Sequence, residues 1–315
     1  MTRKSRAVLT IAVGKPIYHE MATALARSFL LWNEGNGIGF ILVTDDAERI
    51  PNDVRRRVDV RTPAGIGPGF TAKLSIDRLS DADASLFIDA DCLCFRSLAP
   101  VFDFFEGHPV ATVGSTIVTG ECWGDVETIL DRAGLTALPR FVGAIYYFER
   151  GEQARAVFDK ARQLEPRYEE IGLRHLRNRR NEEPLIAIAM AKAGLFPLDD
   201  DGTIKADLMF ARRVDLDVTG GKAEMAIDLP WRTIDHATPA IVHFNCTFAD
   251  MAVYKHQVLV LQAASHGKWA VAAAHATGRL AFEYPERMWR QLKDTLRPVY
   301  RRLFGTRRIR AGKRV

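Results

Sequence analysis

The first residues able to do chemistry lie in the stretch SLFIDADCLCF, Ser85–Phe95, where Asp89 and Asp91 close an apolar run with one alanine between them. A single aspartate at a strand end reads as a turn or helix cap. The pair asks for more. In an extended chain, residues i and i+2 point to the same side, so both carboxylates can aim at one point unless the strand has already turned. Converging like charges need a cation or a proton between them. Carboxylate oxygens suit hard divalent ions such as magnesium and manganese. Far along the chain, His243 interrupts another apolar run, AIVHFNCTF. A histidine in such a place is more often structural than a ligand. Neutral imidazole is nevertheless a good manganese ligand beside carboxylates.

The elements that must position these residues alternate in type. Val8 to Val13 reads as a buried strand, Tyr18 to Trp32 as a helix with Met21, Leu25, Phe29 and Trp32 on one stripe, and FILVT, Phe40 to Thr44, as a second strand. A short strand near Val58 to Arg61, a Gly/Pro-rich loop and a helical Ala72 to Leu79 precede the strand Leu86 to Ile88. Strands at Val110 to Val113, Ala144 to Phe148 and Ala240 to Phe244 follow, with helices at Glu152 to Gln163 and Leu185 to Ala193. The pattern predicts an α/β fold, a mostly parallel sheet flanked by helices. Ligands of such sheets bind beyond the carboxyl ends of the strands, where Asp89 and Asp91 lie. Asp199 to Pro230 has no clear assignment.

Composition sets outer bounds. The chain has 315 residues, 47% of them hydrophobic, enough for a sizeable core and unlike a disordered composition. Cys92, Cys94, Cys122 and Cys246 form no CxxC or zinc-type spacing and read as reduced thiols of a cytoplasmic protein. The apolar run Ala7 to Val13 is too short for a signal peptide core and reads as a first strand. Charge is uneven. Arg290 to Val315 holds ten Lys or Arg and one Asp, a net of +9, whereas the whole chain is +5, so residues 1–289 carry −4.

Taken in order, these features resemble a known group, the retaining glycosyltransferases of the GT-A (Rossmann-like) fold that include glycogenin and the bacterial lipopolysaccharide galactosyl- and glucosyltransferases (family 8). The resemblance runs through the first strand–helix unit, FTAKLSIDRL (Phe70 to Leu79), SLFIDADCLCF, RFVGAIYYF (Arg140 to Phe148), NEEPLIAIAM (Asn181 to Met190) and AIVHFNCTF. It implies a catalytic domain over residues 1–265 and a helical tail over 266–315. It implies that Asp89, Asp91 and His243 bind a divalent metal, manganese favoured over magnesium. The metal would bridge the two phosphates of a nucleotide-sugar donor, by expectation a UDP-sugar. By the same resemblance Asp89 also reaches the ribose or donor sugar, Lys73 helps hold the donor and Tyr18 stacks on the base. Glu182 and Glu183 occupy the catalytic position, where the family carries Asp-Gln. The family's Phe-Asn-Ser/Thr-Gly is here Phe141, Val142, Gly143 and Ala144, so the donor-contacting asparagine is missing.

The basic loop RHLRNRR, Arg174 to Arg180, reads first as a solvated loop and second as an anion clamp. In the tail, Trp289, Leu292, Leu296, Val299, Tyr300, Leu303 and Phe304 recur at helical spacing among arginines, with Pro298 expected to kink or divide the helix. Such a basic amphipathic helix suits an anionic membrane surface, which implies a peripheral protein at the inner face of the membrane. The expected acceptor is then a glycan or a lipid-linked glycan. No nucleic-acid module accompanies the basic charge. Three alternatives remain at this level. A sugar nucleotidyltransferase would carry a glycine-rich signature that AVGKPIYHE lacks. A haloacid-dehalogenase phosphatase would open with its Asp-x-Asp. A non-catalytic membrane protein on a degenerate transferase fold would explain the missing family residues.

Overall fold

The computed structural model describes residues 4–67, 69–245 and 251–305. Cys246 and the end of the basic tail, residues 306–315, lie outside the described residues. The chain divides into two compact units, Met1–Asn245 and Cys246–Val315.

The first unit opens with β1 (Arg6–Ala12), α1 (Pro16–Asn33), β2 (Ile38–Thr44), the short α2 (Asn52–Arg55) and β3 (Asp59–Arg61). A 3₁₀ helix, Phe70–Arg78, leads to β4 (Ala84–Ile88) and β5 (Cys92–Cys94). Then come α3 (Ala99–Phe105), β6 (Val110–Ala111), β7 (Ser115–Ile117), α4 (Val126–Ala133), β8 (Leu138–Arg140), β9 (Ile145–Glu149), α5 (Glu152–Leu164) and α6 (Glu182–Lys192). The unit closes with β10 (Lys205–Asp207), β11 (Ala211–Asp217), β12 (Lys222–Leu229), β13 (Arg232–Ala237) and β14 (Ile241–His243).

The main sheet has the order β3-β2-β1-β4-β9-β6. Its first four strands run parallel, and β9 and β6 add two antiparallel pairings. The sheet is therefore mixed and mostly parallel, with helices on both faces. Alternation along β1 sorts the core: Leu9 packs with Phe87, Phe158 and α6, while Val8 points to the opposite face. There Phe29 of α1 meets Phe40 of β2 at 4.9 Å between ring centroids. Helix α6 is buried on every side from Leu185 to Met190, as its unbroken apolar sequence requires.

Two smaller sheets place the functional residues. In the order β10-β14-β5, strand β14 pairs parallel with β10 and antiparallel with β5. This sheet is fastened to α1 by side chains: Ser28 Oγ accepts from Cys94 N–H (2.9 Å) and Asn33 Oδ1 from Leu98 N–H (2.7 Å). The unassigned stretch after Asp199 forms β10 and an antiparallel sheet, β11-β12-β13. Its first turn comes against α1. Gly221 has φ +69°, and a Cβ there would lie 2.8 Å from the Trp32 ring, so both conformation and space call for glycine.

The second unit is helical: α7 (Ala252–Ala263), α8 (Lys268–Gly278), a π-helical turn (Arg279–Glu283) and α9 (Tyr284–Phe304). Helix α9 runs through Pro298 without dividing. A proline removes one helical hydrogen bond, and on an exposed helix water can take the freed carbonyl. No helix among the described residues is long and apolar enough to cross a membrane.

Candidate active site and metal centre

Strand β4 carries the two aspartates to the sheet's carboxyl edge, and there the chain turns at once. Asp89 N–H continues the β4–β9 ladder by donating to Ala144 O (2.8 Å), and Cys92 N–H donates back to Asp89 O (3.0 Å). This turn sends the two carboxylates to different partners. Asp89 receives Lys73 Nζ on both oxygens, at 2.7 and 2.8 Å. Asp91 faces His243, whose Nε2 lies 3.3 Å from Oδ1. The facing strands bring them together: His243 pairs with Cys92 across β14 and β5, and Phe244 N–H donates to Asp91 O (2.9 Å).

A residue invisible in the sequence completes this arrangement. Asp207, at the end of β10 and in register with His243, takes the other ring nitrogen, Nδ1, at 2.7 Å. Its second oxygen takes Lys205 Nζ at 2.6 Å. Burial works against a charge on His243, yet Asp91 and Asp207 outweigh it and push its pKa up to about 10. Burial would raise the Asp207 carboxyl, but Lys205 and His243 hold it below its ordinary value. The sequence signal for Asp207 was slight, an acidic residue in a segment without clear periodicity.

The donor set fits a divalent cation once His243 gives up the proton on Nε2. Among the described residues, Asp91, Cys92 and His243 bring one ligand atom each within 4.8 Å of one another. A carboxylate on the far nitrogen of a metal-binding histidine fixes the ring and its tautomer, and Asp207 is placed to do that. Burial pushes the Cys92 thiol well above its ordinary pKa, so it enters as a neutral group. Hard ions prefer the oxygen and imidazole donors.

A second cluster adjoins the first. Lys73 Nζ also reaches Glu182 Oε1 (2.9 Å) and Gly143 O (3.1 Å). Burial disfavours its charge, but Asp89 and Glu182 outweigh that and raise its pKa. Burial pushes Asp89 up to about 6 and Glu182 up to about 7 against the pull of Lys73. The two neighbouring glutamates play different parts. Glu183 is fully engaged, accepting from Gly143 N–H (2.6 Å), Trp123 Nε1–H (2.9 Å) and Asn181 Nδ2 (3.1 Å). Trp123 holds a left-handed φ of +55° in making that contact, a strain of about 1–3 kcal/mol. Glu182 is 1% exposed. Its Oε2, like the hydroxyl of buried Tyr146, has no hydrogen-bond partner among the described residues. A Cβ on Gly143 would sit 2.2 Å from that hydroxyl, which explains glycine where the resemblance expects a hydroxyl residue. The carboxylates of Asp89, Asp91, Glu182, Glu183 and Asp207 outnumber Lys73, Lys205 and His243. This surplus of negative charge favours a bound cation.

Tyr18 lies half-buried in the first turn of α1. The next residue, His19, donates from Nε2 to Asp45 Oδ1 (2.9 Å), and Asp45 Oδ2 accepts from Gly14 N–H (2.9 Å), tying together the loops after β1 and β2. Two arginines of the basic loop are paired: Arg174 with Glu121 (2.7 Å) and Arg180 with Glu169 (3.0 Å).

No protein-family model and no curated protein sequence matches the chain. Solved structures do match, and they are family 8 glycosyltransferases of the GT-A fold at low sequence identity. The chain is similar to the galactosyltransferase LgtC, solved in complex with donor and acceptor sugar analogs, at 15% identity over 75% of this chain and 86% of that one, with a TM-score of 0.49. It is similar to mouse xyloside xylosyltransferase 1 at 11% identity over 77% and 98%, TM-score 0.49. It is also similar to the glycosyltransferase GlyE of Streptococcus pneumoniae at 16% identity over 63% and 46%, TM-score 0.43. These likenesses concern the path of the chain.

Glu182 gives a pH-dependent prediction. Its folded pKa of about 7 stands above the ordinary 4.5, so between those values the folded state binds more proton than the unfolded state. Its contribution to stability is complete below about pH 4.5 and is lost as the pH rises through about 7, at most on the order of 3 kcal/mol. Urea unfolding across that window should show a flatter profile for Glu182→Gln. An unchanged slope in the variant would show that Glu182 is not the group responsible.

Proposed function

We propose that the chain is a metal-dependent glycosyltransferase that moves a sugar from a nucleoside-diphosphate donor, by preference a UDP-sugar, to a glycan acceptor with retention of configuration. The observation that carries this reading is the Asp91–His243–Asp207 array beside the Lys73 cluster at the carboxyl end of the sheet. Asp91 and His243 would hold the cation, with Asp207 orienting the imidazole. A bound divalent ion would supply the positive charge that a departing nucleoside diphosphate requires. Lys73 adds a fixed cation between Asp89 and Glu182. Glu182, with one oxygen unpartnered, is the carboxylate able to face positive charge developing on the sugar. Glu183 serves by position, holding Gly143 and Trp123 in place, and Tyr18 offers a ring to the base.

The competing reading is a fold that has lost catalysis. Its support is that Lys73 and the Gly143 loop engage Asp89 and Glu183. Calorimetric titration of UDP with and without manganese separates the two first. Binding should require manganese and weaken at least tenfold in Asp91→Asn. Equal binding without manganese, or no loss in the variant, would remove the metal-dependent reading. If binding holds, donor turnover by wild type, absent in Glu182→Gln, distinguishes transfer from binding alone.

The second unit supports a membrane-facing role for the enzyme. On α9, Met288, Trp289, Leu292, Leu296 and Val299 are 48–69% exposed, and Lys293 lies over the Trp289 ring at 5.0 Å. An exposed apolar stripe set in a net charge of +9 from Arg290 onward suits an anionic lipid surface, where each basic residue contributes about 1 kcal/mol. The acceptor would then be lipid-linked or part of a surface glycan. Wild type should partition onto vesicles containing phosphatidylglycerol and hardly onto phosphatidylcholine alone. Removal of residues 290–315 should abolish the difference, and unchanged partition would defeat the proposal.

A further inference from the structure

Strand β8 ends in an arginine held on two sides. Arg140 pairs with Ser115 across the β7–β8 ladder, and its Nε donates to Ser115 Oγ at 3.1 Å. Its guanidinium carbon lies 4.9 Å from the centre of the Trp231 ring. Trp231 sits in the two-residue turn between β12 and β13, where Leu229 pairs with Arg232. The backbone around Arg140 is equally close-fitting, since a Cβ on Gly114 would lie 2.3 Å from Arg140 O. A long, flexible side chain is thereby fixed in one place.

Neither contact answers its charge, because a hydroxyl and an indole are both neutral. Other half-buried arginines of this unit are held by carboxylates: Arg27 by Asp53 (2.9 Å), Arg61 by Asp59 (2.8 Å) and Arg162 by Asp77 (2.7 Å). The Arg140 Nη groups have no hydrogen-bond or ion-pair partner among the described residues, and they are not sealed from solvent. With Nε taken by Ser115, they hold the remaining four of the five guanidinium N–H donors. Those donors lie in one plane, a fork that matches two oxygens of a carboxylate or phosphate.

The position ties this fork to the candidate site. Arg140 stands three residues before Gly143, which joins Lys73 to Glu183. Trp231, on which it stacks, lines a narrow cleft with Lys205 and Asp207, and so do Gly114, next to Ser115, and Val142, next to Phe141. A cation repels this group, and a neutral hydroxyl would accept one hydrogen bond and leave the charge unanswered. We propose that Arg140 binds a carboxylate or phosphate group of a ligand at the edge of the candidate active site. Assignment of that group to an acidic acceptor rests on the transferase reading; the affinity for an oxyanion does not.

NMR titration tests this with inorganic phosphate, glucose 6-phosphate and methyl glucuronide, and with methyl glucoside as the neutral control. At least one anionic probe should bind saturably and shift the Arg140 Nε–H resonance, identified by its absence in Arg140→Lys. Methyl glucoside should leave that resonance in place. Arg140→Gln should weaken anion binding tenfold or more, and Arg140→Lys should restore only part of the loss, because a point charge replaces the fork. No saturable binding by any anionic probe, an unmoved resonance, or equal binding by Arg140→Gln would overturn the proposal; the wild-type resonance decides it if the variants do not fold. Repeating the titrations with UDP and manganese separates the sources: an anion that binds beside the nucleotide belongs to the acceptor, and one displaced by it marks the phosphates of the donor. Calorimetric titration of UDP into wild type reads the transferase question separately. Anion binding without nucleotide binding would keep the Arg140 site and remove the transferase, and nucleotide binding without anion binding would do the reverse.

Discussion

One interaction organises the site: a buried histidine held between two buried carboxylates. Each group would be costly alone, because burial disfavours charge and an unpaired partner has no water to turn to. Together they stand at the ends of three strands that must be in register for the array to exist. His243 is opposite Asp207 on one side and Cys92 on the other, and Phe244 N–H fixes the Asp91 backbone. A slip of one residue in β14 would turn the imidazole to the other face and part it from both carboxylates.

The rest of the first unit serves that register. Helix α1 holds β5 through Ser28 and the following turn through Asn33. Ala144, just before β9, takes Asp89 N–H and follows Gly143, whose carbonyl and amide connect Lys73 with Glu183. Lysine, glutamate and glycine thus form one hydrogen-bonded frame around the end of β4.

Much of the frame was legible in the sequence because it rests on periodicity. The buried strands Phe40 to Thr44 and Leu86 to Ile88, the α1 stripe and the apolar α6 each read from local pattern, and so did the chemical promise of Asp89, Asp91 and His243. What local pattern could not show is which groups meet. The spacing of Asp89 and Asp91 suggested one shared target, but the turn after Ile88 gave each its own partner. Glu182 and Glu183 looked equivalent, yet one is buried with an oxygen that has no partner among the described residues and the other accepts from three donors. Asp207 and Lys205 were hidden in a stretch whose short strands gain stability only from neighbours distant in sequence. The Gly220–Gly221 turn between alternating segments was the overlooked cue to β11 and β12.

The most direct test of the central claim is a crystal grown with manganese and UDP, examined by anomalous diffraction at the manganese edge. The account places the anomalous peak between Asp91 Oδ1 and His243 Nε2, with Asp207 still bound to Nδ1. A peak elsewhere, or no peak with UDP bound and the Asp91–His243 contact intact, would contradict it.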